Sequence, residues 1–360
     1  ALLLLEVAAE SIETLDIEVE KVLETLMNLK TSYARPVLSG TQIDQAMELR
    51  KAGLGLLGNM VGDRKAVACI EDTAVALEDL DSFIDAFSKL MQKFNQNAVY
   101  YAHAGAGELH LRPLLNLKDK EDVVLFRQIT TEVAQLVKKF KGSLSGEHGD
   151  GIVRSEFIPM MIGQKNYSLL KTIKSLFDPN NIFNPGKIIE APKMDESFRT
   201  HVGQETPEIS TLLDFSSSMG IVRATEQCNG SGDCLKVSGG AMCPSYKATR
   251  NEKDTTRGRA NALREFLYQK NTNRFDHKEL KEAFDLCLSC KACASECPSN
   301  VDVAAFKAEF LYQYHQNNRR RLRDYVMGYN ARFNALGSML TSVTNFFFSN
   351  IITRYWIKKT

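Results

Sequence analysis

Seven of the eight cysteines fall between Cys228 and Cys297; the remaining one is Cys69. Cys287, Cys290, Cys293 and Cys297, with Pro298 after the last, follow C-x₂-C-x₂-C-x₃-C-P without a departure. Three thiolates at that spacing wrap one corner of an iron–sulfur cubane, and the cysteine before proline serves the other cluster in two-cluster ferredoxins. A zinc site built from four cysteines is the competing chemistry, but it usually takes two C-x₂-C knuckles. Upstream, Cys228 and Cys234 keep the outer spacing of C-x₂-C-x₂-C with Ser231 at the middle place, and Cys243-Pro follows. The crossover rule groups Cys243, Cys287, Cys290 and Cys293 around a complete [4Fe–4S] cluster. It leaves Cys228, Cys234 and Cys297 as three thiolates, fit for a [3Fe–4S] or a second [4Fe–4S] cluster. Ser231 is then either a weak ligand or a turn former.

A second set of chemically able residues lies nearer the start. His103 and His110 flank a turn holding Gly105 and Gly107, which oppose a helix and allow a strand–turn–strand that brings the imidazoles together. Glu147 and His148 sit in a stretch with glycines at 142, 146, 149 and 151. Two histidines and a glutamate suit a divalent metal with open positions, and a further histidine beside them suits a base. A glycine-rich hairpin with solvated polar residues accounts for the same spacing. Asp178 to Lys187, with Pro179 and Pro185, reads as a helix exit loop. Gly53, Gly55 and Gly58 match G-x-G-x-x-G, yet they follow a helical stretch rather than a strand, so no phosphate cradle is expected.

The elements that must carry these residues can be read from periodicity. Strands are expected at residues 2–8, Ala66–Ile70, Val99–His103 and Leu109–Leu115. Helices are expected at Ser11–Leu29, from Thr41, at Leu77–Phe94, Val123–Phe140 and Tyr167–Phe177. Strands mixed with helices, without strict alternation, predict an α+β domain over residues 1–190. Residues 191–222 read as a linker, 223–318 as a mostly α-helical cluster domain, and 319–360 as a basic, aromatic helical tail with eight Lys/Arg and one acid. Net charge is +1 over 360 residues, so no global field draws the chain to nucleic acid. No apolar run approaches the roughly 20 residues of a bilayer span. Clustered thiols without a secretory signal point to metal rather than disulfides, and to a cytoplasmic chain. The opening in an apolar segment at Ala1 suggests a region that precedes it.

His103–His110, Ser145–Gly149 and Asn184–Lys187 resemble the C-terminal substrate domain of FAD-linked oxidases, the group of D-lactate, D-2-hydroxyglutarate and glycolate dehydrogenases. Cys228–Pro244 and Cys287–Pro298 resemble the iron–sulfur subunit of glycolate oxidase. Their order resembles the long fused form in which both modules share one chain. The resemblance implies a ferredoxin-like substrate domain, with a flavin-binding domain and a further cysteine-rich segment that this chain lacks, so that the chain alone would be inactive. It implies His103, His110 and Glu147 as ligands of a zinc-like divalent metal, His148 as base, and Asn184 near the FAD ring. Arg50 and Lys65 would hold the substrate carboxylate, with Leu54 where the family has threonine. Ala106 replaces an acid of the glycine-rich turn and Arg112 an asparagine two residues past His110. Arg112 shares a strand face with His110 and could meet a second carboxylate, which favours D-2-hydroxyglutarate over D-lactate or glycolate. Electrons would pass to a quinone or a carrier protein. The tail would lie on an anionic bilayer, peripheral at the inner membrane face, or pack on a further domain. An oligomer is compatible with all of this. The alternative reading is a non-catalytic electron-transfer module that docks a flavoprotein.

Overall fold

The computed structural model describes residues 2–58, 60–270 and 274–359. It divides into two compact units, Ala1–Gly53 and Leu54–Thr360. In the first, α1 (Ile12–Leu29) is capped by Ser11, whose hydroxyl accepts the N–H of Thr14 at 3.2 Å. The helix α2 begins at Thr41 and runs to Gly58. It therefore carries the G-x-G-x-x-G stretch inside a helix, as its context suggests. Residues 2–8, expected as a strand, form none and are largely exposed. A strand needs a hydrogen-bonded neighbour, and no described strand pairs with them.

The second unit opens with an antiparallel sheet made of β1 (Lys65–Ala66), β2 (Ile70–Ala74), β3 (Ala98–His103) and β4 (Glu108–Leu115). The long β4 is central. β3 pairs along one edge, while β2 and β1 share the other. The expected strand at Ala66–Ile70 is thus displaced, because pairing begins at Lys65, lapses, and resumes at Ile70. One face of the sheet carries Ile70, Leu109, Leu111 and Leu115, all buried against α3 (Leu80–Lys93) and α4 (Lys120–Lys139). Phe83, Phe87 and Met91 recur at helical spacing on α3, and Phe126, Ile129, Val133 and Val137 do so on α4. Each fully buried side chain of this kind stabilises the fold by about 1.5–3 kcal/mol. Asp119 starts α4 by accepting the N–H groups of Glu121 and Asp122. Two helices follow, α5 (Ile158–Ile162) and α6 (Gln164–Phe177).

Residues 178–215 hold no helix or strand, yet they are tied down. Met194 is buried, Asp195 pairs with Arg127 at 2.5 Å, and the N–H groups of Leu212 and Leu213 donate to Glu309. Beyond them α7 (Ile221–Glu226), α8 (Pro244–Thr249), α9 (Thr256–Tyr268), α10 (Lys278–Asp285), α11 (Ala292–Glu296) and α12 (Val303–Asn317) enclose a second core. That core includes Leu263, Leu267, Leu280, Phe284, Phe306 and Phe310, and Cys228, Cys234, Cys243 and Cys293 lie within it. All eight cysteines are free, and Cys69 is fully buried in the first core as a small apolar residue.

Lys118, just before α4, joins the two cores. Its ammonium meets Asp63 at 2.8 Å and Glu226 of α7 at 3.0 Å; Tyr268 of α9 donates to Glu226 at 2.6 Å, and Arg223 of α7 meets Asp63 at 2.8 Å. Burial pushes the Asp63 carboxyl up, but Arg223 and Lys118 outweigh it and hold the group at about 2.

The tail forms four short helices, α13 (Leu322–Gly328), α14 (Asn330–Met339), α15 (Thr341–Ser349) and α16 (Ile351–Lys359), rather than one long stripe. Tyr325, Tyr329, Phe333, Leu336 and Phe346–Phe348 are exposed along it. The side chain of Trp356 lies outside the described residues. Among the described residues, no helix is long and apolar enough to cross a membrane.

Candidate metal and iron–sulfur centres

The face of the sheet opposite the first core is polar, and the register decides which residues share it. His103 pairs with Glu108, Tyr101 with His110, and Glu71 with His110 across the other edge. Directly opposed residues point to the same face, as do residues two apart on a strand. His103, Glu108, His110, Arg112 and Glu71 are therefore neighbours by construction. The turn between β3 and β4 depends on Gly107: its φ is +72°, and a Cβ there would stand 2.1 Å from the carbonyl oxygen of Val75.

The loop carrying Glu147 and His148 is brought over this face by Asp72. Pairing between β2 and β4 slips between Glu71 and Thr73, and Asp72 is the extra residue, with φ +74°. Such a bulge re-aims a side chain. Here the fully buried carboxylate accepts the hydroxyl of Ser145 at 2.7 Å and the N–H groups of Glu147 and His148 at 2.8 and 2.9 Å. The Asp72 carbonyl accepts the N–H of Gly146 at 2.7 Å. Burial pushes this carboxyl up, but these hydrogen bonds hold it well below the ordinary carboxylate range. A Cβ at Gly146 would stand 3.3 Å from Ala74, Asp72 and Glu108, so a larger residue would press on all three. Arg154 closes the back of the loop. Its guanidinium donates to the carbonyls of Glu71, Leu144 and Gly149 and stands 3.5 Å from Asp72.

Ligand atoms of His103, Glu108, His110 and Glu147 all lie within 4.8 Å of one another. His103 Nε2 is 3.7 Å from Glu147 Oε1, and His110 Nε2 is 3.7 Å from Glu108 Oε1 and 4.0 Å from Glu147 Oε1. His110 turns its other nitrogen, Nδ1, towards Glu71 at 3.7 Å, and Arg112 grips Glu71 at 2.5 Å. A carboxylate on this side favours a proton on Nδ1, although at 3.7 Å it is not hydrogen-bonded to it, and so leaves Nε2 free towards the cluster. Burial lowers the basicity of His110, which favours the neutral, ligating imidazole. Burial also pushes the Glu108 carboxyl up to about 7, with Asp72 and Glu147 adding to it. His148 stacks on His110 with ring centres 5.1 Å apart, and its Nε2 is 3.3 Å from Glu147 Oε1. Both His148 and Glu147 remain about half exposed and so can meet a ligand.

The residues singled out from sequence do not all converge. Arg112 joins the cluster, but as the partner of Glu71. Lys65 pairs with Leu115, five residues along β4 from His110, or about 17 Å of strand. Its ammonium donates to the carbonyl of Met60. Arg50 lies on α2 in the first unit. Asn184 has φ +49° in a loop organised by Asp178, which accepts the N–H groups of Ile182 and Phe183 at 2.9 Å. Conversely, Glu71, Asp72, Glu108 and Arg154 escape sequence reasoning. Only Glu108 left a usable signal, standing two residues before His110.

In the second core, Cys243, Cys287, Cys290 and Cys293 line one cavity together with Thr256 and Arg259. Cys243 Sγ accepts the N–H of Thr256 at 3.0 Å, and the N–H groups of Val303 and Ala304 at the start of α12 face Cys293. Burial pushes both thiols up, and these donors offset part of that rise in favour of the thiolate a cluster requires. Cys228, Cys234 and Cys297 gather separately: burial pushes the Cys228 thiol up, and Cys234 and Cys297 are neighbours that add to the shift. Ser231 is exposed and donates to Asp233 at 3.3 Å, as a turn former does.

The family model of the C-terminal domain of FAD linked oxidases matches residues 1–188, and that of a 4Fe-4S dicluster domain matches residues 227–302. The D-2-hydroxyglutarate dehydrogenase of Haemophilus influenzae is 36% identical over 326 residues, covering 79% of this chain and 31% of that protein. The D-2-hydroxyglutarate dehydrogenase of Escherichia coli is 31% identical over 355 residues, 87% of this chain and 34% of that protein. The glycolate oxidase subunit GlcD of Bacillus subtilis is 26% identical over 141 residues, 39% of this chain and 29% of that protein. The chain spans about a third of the length of the first two relatives.

Proposed function

Because the chain belongs to the FAD linked oxidases through their C-terminal domain, we propose that it supplies the substrate-binding half and the first electron relay of a flavin-dependent, iron–sulfur D-2-hydroxy acid dehydrogenase. D-2-hydroxyglutarate is the favoured substrate, with D-lactate or glycolate next. The observation that carries this reading is the convergence of His103, His110 and Glu147 beside the half-exposed His148, in one chain with the paired cysteine sites.

When bound, a divalent ion lowers the pKa of a coordinated hydroxyl, a flavin takes up hydride, and iron–sulfur clusters carry single electrons. The donor set fits such an ion, because Glu108 Oε1, which faces His110 Nε2 in the cluster, is buried with no hydrogen-bond partner. His103, His110 and Glu147 would hold the ion. His148 Nε2 accepts the proton of the substrate hydroxyl, and the Glu147 carboxylate 3.3 Å away stabilises the imidazolium that results. Asp72 keeps the backbone of both residues in place. Asn184 faces the flavin, and Arg50 and Lys65 contact the substrate carboxylate; these three roles rest on the family resemblance. Arg112 meets a second substrate carboxylate only by sharing itself with Glu71. Cys243, Cys287, Cys290 and Cys293 hold a [4Fe–4S] cluster, and Cys228, Cys234 and Cys297 hold a second cluster with one thiolate fewer. With flavin and clusters bound, the acceptor would be a quinone or a carrier protein. The exposed aromatic tail packs on a further domain or rests on an anionic membrane surface.

The test is turnover of D-2-hydroxyglutarate, D-lactate and glycolate by the flavin-loaded enzyme, with metal and iron content measured on the same sample. The reading expects activity that fails on metal removal and returns with zinc or a similar ion. Turnover of the acids that survives complete chelation would remove the metal role, and turnover of none of them would remove the reaction.

A further inference from the structure

The ligand set expected from sequence holds three residues, but a fourth donor stands among them. Glu108 lies on the same sheet face as His103, which it opposes, and as His110, two residues on. Its side chain is only 8% exposed. Its Oε1 has no hydrogen-bond donor in reach and stands 3.7 Å from His110 Nε2, the nitrogen turned towards the cluster. A buried carboxylate oxygen without a donor is costly to keep unless something positive meets it. The cations close by are already engaged: Arg112 is on Glu71, and Arg154 is on three backbone carbonyls and Asp72. Asp72 and Glu147 crowd the same space with further negative charge. The arrangement is unfavourable in the bare protein and becomes favourable around a dication.

We propose that Glu108 is a direct ligand of the divalent ion, making the centre a two-histidine, two-carboxylate site in which His103, Glu108, His110 and Glu147 all donate. The two carboxylates neutralise the ion's charge within the low-dielectric floor of the site. Imidazole and carboxylate together suit first-row divalent ions such as zinc or manganese. Glu108 also explains why this face carries more acid than a three-ligand site needs.

The experiment uses Zn²⁺ as probe, titrated anaerobically against a fluorescent chelator into the full chain with its cysteine sites filled by iron–sulfur clusters and its divalent-metal site emptied, with thermal unfolding of each variant in that metal-free state alongside. Glu108→Gln keeps the shape and removes the charge. The expected result pairs two opposite signs. Zinc affinity falls by more than 100-fold, matching His103→Ala, while the metal-free protein unfolds at the same or a higher temperature because a repelling carboxylate is gone. Outer-sphere partners of a metal cost only about 10–100-fold. Glu108→Asp keeps the charge and recovers part of the affinity. A loss under 100-fold, a metal-free Glu108→Gln that unfolds at lower temperature, or an Asp variant no better than Gln would overturn the assignment. It rests on the metal-centre reading above, and the two failures separate. A wild-type chain that takes up no zinc overturns that reading and this one together. Wild-type binding that Glu108→Gln leaves intact overturns only the place of Glu108.

Discussion

Asp72→Ala tests whether one buried carboxylate holds the loop that carries both Glu147 and His148. The native side chain is fully buried and accepts two backbone N–H groups and a serine hydroxyl, at 2.7–2.9 Å. Truncation leaves both N–H groups without a partner, at about 1–3 kcal/mol each. Alanine also tolerates φ +74° less well than aspartate does, by about 1 kcal/mol. The sum is about 4 kcal/mol, concentrated in residues 145–148. Hydrogen exchange at the Glu147 and His148 amides reads this locally, and 4 kcal/mol corresponds to about 1000-fold faster exchange when local opening is the route. Asp72→Asn keeps an acceptor and the left-handed backbone, so it loses roughly half as much. Zinc affinity falls in the same order, Ala below Asn below wild type. An Asp72→Ala protein whose two amides exchange within about fivefold of wild type would refute the reasoning, because the loop would then be held by Arg154 and the glycines alone.

Three further outcomes follow from the geometry. Anaerobically prepared protein is expected to show one four-iron cluster and a three-iron or partly empty second site by iron and sulfide counts with EPR, since Ser231 turns to Asp233; two equivalent four-iron clusters would contradict that. Lys118→Met leaves the carboxylates of Asp63 and Glu226 without their shared cation and is expected to cost about 3 kcal/mol in urea unfolding. Because the Asp63 carboxyl is held below its ordinary 3.8, at about 2, its contribution is present above the ordinary value and lost as pH falls between the two, so wild type loses more stability than Lys118→Met from pH 4 to pH 2. Arg112→Ala is expected to weaken turnover of D-2-hydroxyglutarate more than that of D-lactate; equal losses would confine Arg112 to holding Glu71.

The parts of the site that were legible in sequence are those built on glycine and on rare residue types. Gly107 and the glycines around Glu147 announced turns, and histidine and cysteine are uncommon enough for spacing to mean something. Apart from Glu147, the carboxylates were not legible, and Glu108 had only its place two residues before His110 to mark it. Glu71, Asp72 and Glu108 look like solvated charges, and only a strand register with a bulge at Asp72 turns them inward. The paired strand Ile70–Ala74 runs on past the apolar stretch through Glu71 and Asp72, two acids that period-2 hydrophobicity cannot see. The spacing of Arg50 and Lys65 carried no strand register, and it is register that sets Lys65 opposite Leu115, at the far end of β4 from His110. The helices α3 and α4 were legible because their apolar residues keep one face, whereas an apolar start at residues 2–8 carries no information about a partner strand.

The central claim, that this chain's His148 is the base beside a metal-bound hydroxy acid, is tested most directly by stopped-flow reduction of the enzyme's flavin with D-2-hydroxyglutarate, comparing wild type with His148→Ala at equal flavin and metal content. General bases contribute about 10²–10⁴-fold. The account predicts that flavin reduction in His148→Ala is slowed at least 100-fold while both cofactors stay bound. A variant that reduces its flavin at more than about a hundredth of the wild-type rate would contradict it.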